Sequence, residues 1–160
     1  MIRLAQQSDV AGISQMWARM VERHAQLDAA TFRPAADGAE LYARFIEDRL
    51  EDAYARILVA EVDGELVGYI SGGIADINSQ LFEAQRCGLI TELFVCAGQR
   101  RQGIGSQLVE RLMLWFRACD VSRFEWYTSA QNPAALAFWR AMGGEAYLLR
   151  MRAPIPGGET

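Results

Sequence analysis

Leu89-Ile90-Thr91-Glu92-Leu93-Phe94-Val95, followed shortly by Gln99-Arg100-Arg101-Gln102-Gly103-Ile104-Gly105-Ser106, joins two hydrophobic patterns of different period. The first segment is apolar and rich in β-formers, as a buried strand is. Downstream, Ile104, Leu108, Leu112, Trp115, Phe116 and Cys119 recur at helical spacing. The stretch between them is therefore a strand-to-helix turn. Glycines at 103 and 105 let the backbone approach a ligand closely, and the free N–H groups at a helix start favour a diphosphate. Arg100 and Arg101 add cationic donors beside it. An ordinary strand-to-helix turn fits the same string. Two other phosphate-binding patterns do not: a P-loop requires Gly-Lys-Ser/Thr, and a dinucleotide fingerprint requires G-x-G-x-x-G near the first strand.

Upstream of the turn, a short strand around Ile2 to Ala5 precedes a helix that Ser8 or Asp9 can cap, with an apolar stripe of Val10, Ile13, Trp17, Met20, Val21 and His24. A second helix is expected from about Ala39 to Leu50, with a Pro34-containing loop, Ala25 to Gly38, between them. Arg56 to Val62 and Leu66 to Ile74 flank Asp63-Gly64, the signal of a tight antiparallel hairpin. Asp76 to Cys87 reads as an exposed loop. Past the long helix, Arg123 to Ser129 alternates like a strand, and Asn132-Pro133 is an N-cap followed by a first helical position. Gly143 ends that helix, and a last strand is expected at about Glu145 to Arg152, before a tail of poor ordering potential from 154 to 160.

At 160 residues and 51% apolar composition, the chain can bury a core and fits one domain by size, taken as 1–153. No apolar run is long enough to cross a membrane, and the first residues lack the hydrophobic core of a signal peptide, which points to a cytoplasmic protein without membrane partners. Cys87, Cys96 and Cys119 are an odd number without metal-like pairing, so reduced structural thiols and no metal site are expected. A net charge of −4 argues against a nucleic-acid surface.

Arg100-x-x-Gly103-x-Gly105, placed after Glu92-Leu93-Phe94-Val95, resembles the coenzyme-binding motif R/Q-x-x-G-x-G/A of the GNAT superfamily of N-acetyltransferases. A second stretch, Asn132-Pro133-Ala134-Ala135-Leu136-Ala137-Phe138-Trp139-Arg140-Ala141-Met142-Gly143, is similar to the family's closing motif N-x-x-A-x-x-F-Y-x-x-x-G. Only the tyrosine position departs. The order of elements agrees over roughly residues 2 to 153. The resemblance implies an α/β (α+β) fold, with a mixed, mostly antiparallel central sheet flanked by helices and a fourth strand splayed from the fifth. It implies acetyl-CoA as cosubstrate and an amine acceptor, a small molecule or a peptide, one wall of whose site is the 25–38 loop. A homodimer is among the assemblies the family uses.

On that resemblance, the backbone of Leu93, Phe94 and Val95 pairs with the pantetheine arm, with an N–H near Val95 polarising the thioester carbonyl. Arg101, Gln102, Gly103, Ile104, Gly105 and Ser106 hold the diphosphate, Arg100 is a further coenzyme-binding residue beside them, and Asn132 and Trp139 contact the coenzyme. An alkylamine with a pKa of about 10 is mostly protonated at neutral pH, so direct attack requires a base. Glu92 is the first candidate, against the alternative that it only binds the acceptor's charge or pairs with an arginine; Tyr127 is the second. Trp139 stands where many relatives have a tyrosine that protonates the departing thiolate, and an indole N–H cannot deliver a proton. Three readings follow: another donor such as Tyr127 substitutes, water protonates the thiolate, or the chain is a coenzyme-binding regulatory module with weak or no catalysis. His24, at the end of an apolar stripe, is expected to pack rather than catalyse.

Overall fold

The computed structural model describes residues 1–76, 81 and 83–156. The chain packs as two compact units, Met1–Tyr127 and Thr128–Thr160.

The first unit is built on a five-stranded sheet of β1 (Ile2–Leu4), β2 (Ala55–Val62), β3 (Glu65–Asp76), β4 (Arg86–Val95) and β5 (Phe124–Trp126), adjacent in that order. The first three pairings are antiparallel and β4 with β5 is parallel. The β2–β3 hairpin turns on Asp63 and Gly64, both with positive φ (50° and 80°), the conformation a two-residue turn demands and the Asp-Gly pair supplies. Helices α1 (Val10–Leu27) and α2 (Gly38–Glu51) cover one face. Their Ile13, Met16, Tyr42 and Ile46 meet Ile57, Val59, Tyr69 and Phe94 of the sheet in one buried cluster. The helix α3 (Ile104–Ala118) covers the other face, where Leu112 and Phe116 lie against Gly72 and Gly88. A Cβ at Gly88 would stand 2.7 Å from the Phe116 ring, so the glycine is what lets the ring sit down on the strand.

Three expectations need correction. Neither Ser8 nor Asp9 caps α1 through its side chain. The Asp9 carboxylate instead takes the Arg3 guanidinium in a two-pronged pair at 2.6 and 3.0 Å and the Gln6 N–H at 2.8 Å, a stronger set of charge-assisted bonds than a cap offers. The fifth strand spans three residues instead of Arg123 to Ser129, because β4 pairs with it only from Gly88 to Ile90. The last strand, Glu145 to Arg152, does not form: the described residues 145–156 pair with no strand, and Tyr147, Leu148, Leu149 and Met151 are all exposed. Neither face of that segment is buried, so nothing sets a two-residue period.

In the second unit, α4 (Pro133–Ala141) begins as the sequence indicates. Asn132 Oδ1 accepts the Ala135 N–H at 3.1 Å, Pro133 takes the first helical position, and Gly143 follows the helix with φ 87°. The loop expected at 76–87 is shorter at both ends, since Asp76 closes β3 and Arg86 and the buried Cys87 open β4; residues 77–80 and 82 lie outside the described residues, as do 157–160 of the tail.

Candidate active site

The site grows from an irregularity in β4. Ser71 stands opposite Glu92 and Gly72 opposite Ile90, which leaves Thr91 as an extra residue, a bulge that its hydroxyl ties to the Ser71 carbonyl at 3.1 Å. On the other side, pairing with β5 stops at Ile90. From Thr91 to Val95, β4 therefore runs on with one edge unpaired among the described residues. Cys96 donates its N–H to Val67 at 2.8 Å on the β3 side. Because successive residues of a strand point their N–H and C=O groups to alternate sides, the Val95 N–H faces the open edge.

The turn that follows is held to this strand end. Arg100 Nε donates to the Val95 carbonyl at 2.8 Å, which ties the turn to the strand end. Arg101 (φ 64°) and Gly103 (φ 80°) adopt left-handed backbone, the concave arrangement that points successive N–H groups at an anion. The first helical bond of α3 runs from Gln107 N–H to Gly103 C=O at 3.0 Å. That leaves the N–H groups of Ile104, Gly105 and Ser106 without helical acceptors, at the positive end of a dipole with no acidic side chain in the first turn. Gln102 turns its amide back to the Gly98 carbonyl at 3.3 Å.

Glu92 lies on the α1/α2 face, two residues from Phe94 of the core cluster. Its Oε2 is buried without a hydrogen-bond partner, and so is the Oγ of the fully buried Ser71 opposite it. Burial pushes the Glu92 carboxyl above its ordinary pKa, while the Thr91 and Tyr42 hydroxyls and the Arg49 guanidinium pull the other way. The Tyr42 hydroxyl donates to that of Tyr69 at 3.2 Å, and both phenols are held well above their ordinary range, burial being the chief cause. The Tyr42 ring also lines a cavity of about 470 Å³ between α1, α2 and the 31–35 segment, with Trp17, Phe32 and Phe45 among its other walls. The loop expected to wall an acceptor site thus does border a cavity, and one side chain leads from that cavity to the carboxylate.

Residues 21–143 match the acetyltransferase (GNAT) family, a span well over half of the chain. The chain belongs to the GNAT acetyltransferase family. It is an N-acetyltransferase by that membership, with acetyl-CoA as cosubstrate. An uncharacterized N-acetyltransferase of Archaeoglobus fulgidus is 31% identical over 118 residues, covering 73% of this chain and 71% of the relative. Among solved structures, a mutant of a Bacillus halodurans protein superposes with a TM-score of 0.88 at 19% identity, covering 97% of this chain and 99% of that one. An aminoglycoside N-acetyltransferase in complex with CoA gives 0.75 at 15% identity, over 98% and 94%. At these identities the structural likeness carries the fold: a mixed five-stranded sheet flanked by helices, as the sequence indicates.

The remaining GNAT candidates fall out as follows. Tyr127 is 98% exposed at the end of the first unit. Asn132 and Trp139 are on α4 of the second, where the Asn132 carbonyl oxygen serves as the helix cap and the Trp139 ring meets Phe138 edge-on at 5.0 Å. His24 is half-buried against Phe32, ring centroids 4.9 Å apart, and burial lowers its pKa, in keeping with a packing role. Ser71, Tyr42, Tyr69 and Arg49 surround Glu92 and were not candidates from the sequence. Tyr42 carries only a helical-spacing signal, and the partner of Glu92 across the sheet depends on the bulge.

Proposed function

We propose that this GNAT enzyme transfers acetyl from acetyl-CoA to a primary amine by direct attack, with Glu92 as general base. The observation that carries the reading is the buried, unpartnered Oε2 of Glu92 beside the open edge of β4. The Thr91 and Tyr42 hydroxyls act on the carboxyl, yet one of its oxygens stays unfilled, and Arg49, near enough to act through space, makes no salt bridge to it among the described residues. The raised pKa brings the carboxylate closer to the operating pH, which favours proton transfer from an ammonium.

In this reading the Leu93–Val95 edge receives the pantetheine arm as an added strand, and the Val95 N–H donates to the thioester oxygen as negative charge develops there. The cradle of Arg101 to Ser106 takes the diphosphate, with Arg100 bracing it through Val95. Asn132 and Trp139 keep the coenzyme-contact roles that the motif resemblance assigns. A neighbouring fold solved with acetyl-CoA, a predicted acetyltransferase of Clostridium acetobutylicum, supports the cosubstrate. As the amine attacks the carbonyl carbon, Glu92 takes its proton and the coenzyme leaves as thiolate. A thiol with a pKa of about 8.5 leaves without a dedicated acid, and solvent protonates it, in line with Trp139 and with the exposure of Tyr127. The acceptor is a small-molecule amine.

The replacement of the family tyrosine by Trp139 favours one rival, a module that binds acetyl-CoA without turnover. Calorimetric binding of acetyl-CoA beside thiol release in wild type and Glu92→Gln separates the two. The transferase reading expects unchanged coenzyme binding and a loss of about 10²- to 10⁴-fold in kcat for the variant. Equal kcat in the two proteins would remove Glu92 from the mechanism, and binding without release from any amine would establish the rival.

A further inference from the structure

We infer that the acceptor is a singly charged primary amine carried on an aromatic body, whose ring seats in the cavity between α1 and α2. The inference rests on the transferase reading above and names the substrate class of that site.

The walls of the cavity are Trp17, Val21, Phe32, Leu41, Tyr42 and Phe45 for the most part, and its volume of about 470 Å³ is that of a small-ligand site. Leu41 and Phe45 stay 48% and 39% exposed at its rim, so large apolar surface is held open to water there instead of being packed away. The aromatic walls are fixed in place. Trp17 stacks on Tyr42 with centroids 4.8 Å apart and planes 10° from parallel, and the Arg49 guanidinium stands 4.6 Å over the Phe45 ring. Gly38 opens α2 where a Cβ would come within 3.1 Å of the Trp17 indole, which lets the indole lie against the start of the helix.

Charge sets the class. Among the described residues no aspartate or glutamate lines the cavity, and the one charged lining residue is Arg33. Of the acidic residues on the bordering loop, Asp28 spends its carboxylate on the Thr31 hydroxyl at 2.7 Å and the Thr31 N–H at 3.2 Å, and Asp37, between the lining Ala35 and Gly38, is exposed to solvent and does not line the cavity. A polyamine or aminoglycoside would bring several ammonium groups into a space with no carboxylate to receive them and one guanidinium to repel them. A single amine can be met by Glu92, which interacts with the hydroxyl of the wall residue Tyr42. An aromatic body in the cavity with its amine directed past Tyr42 satisfies both ends.

The test is acetylation of 2-phenylethylamine, ethylamine, spermidine and kanamycin, with acetyl-CoA binding measured on the same protein. Burying the ring predicts kcat/KM for phenylethylamine about 10- to 100-fold above ethylamine, and above both polycations. Phe32→Ala, on the cavity loop, is expected to shrink that ratio, and the exposed Arg33→Glu to raise activity on spermidine. Preference for spermidine or kanamycin, or equal rates for ethylamine and phenylethylamine, would overturn the inference while leaving the transferase intact. Coenzyme binding with no acetylation of any of the four would overturn the inference, and the same result across every other amine would overturn the transferase reading as well. An unchanged selectivity ratio in a folded Phe32→Ala protein would show that the ring does not sit in this cavity.

Discussion

Burying Glu92 carries a cost in stability that depends on pH. A carboxyl whose pKa is raised in the fold is favoured in its protonated form, so its contribution to stability is fully present below the unfolded pKa and is lost as pH rises through the folded value. Glu92→Gln is therefore expected to melt higher than wild type at about pH 8, with the difference closing toward about pH 4, even as turnover falls. Asp9 behaves in the opposite sense. Its pKa is lowered, chiefly by the hydrogen bonds from Arg3, so its stabilisation is present above the unfolded value and is lost as pH falls through the folded one. Asp9→Asn should weaken the fold at neutral pH, by about 1 to 3 kcal/mol in denaturant unfolding, and lose its effect in acid. Both carboxylates are visible in the sequence, and only one was legible as a site residue. Glu92 stands in a strand whose place before a glycine turn marks it, whereas Asp9 looks like a helix cap until it is seen to share the Arg3 guanidinium with Glu61 of a second strand.

The turn between β4 and α3 reads well from sequence because its demands are local. Gly103 has φ 80° with only the Gln107 side chain near a would-be Cβ, at 3.5 Å, so Gly103→Ala meets backbone strain and little else. A cost of about 1 to 2 kcal/mol in stability is expected, together with weaker acetyl-CoA binding by calorimetry. Arg100 has a role that the sequence does not show: its Nε holds the Val95 carbonyl. Arg100→Ala should weaken coenzyme binding about tenfold or more through the loss of one charged hydrogen bond that orients the turn. The bulge at Thr91 was not legible, since a bulge is a matter of register between two strands and leaves no mark on either alone. It nonetheless sits where β4 parts from β5, and with it come the facing of Glu92 toward Tyr42 and the open edge of β4. For the same reason the fifth strand was read too long: Tyr127 to Ser129 have strand-like residues but no ladder to join.

Across the first unit, the sheet keeps its two faces apart. One face takes α1 and α2, with the cavity, Tyr42 and Glu92; the other takes α3 on a floor of glycines. Gly88→Ala should disturb the second face, since the new methyl would press on the Phe116 ring; about 1 to 3 kcal/mol is expected, read by thermal unfolding. The long apolar stripes of α1 and α3 made this layering legible, as did the Asp63-Gly64 turn. The Tyr147 to Met151 segment misled because apolar composition alone does not supply a neighbour to pair with.

The most direct measurement is the pH dependence of kcat for acetyl transfer in wild type and Glu92→Gln, at saturating acetyl-CoA and amine. If Glu92 is the base, wild-type kcat rises with pH along a limb set by a group above the ordinary carboxylate range, and that limb is absent from a much slower variant. An unchanged limb and an unchanged kcat in Glu92→Gln would contradict the account.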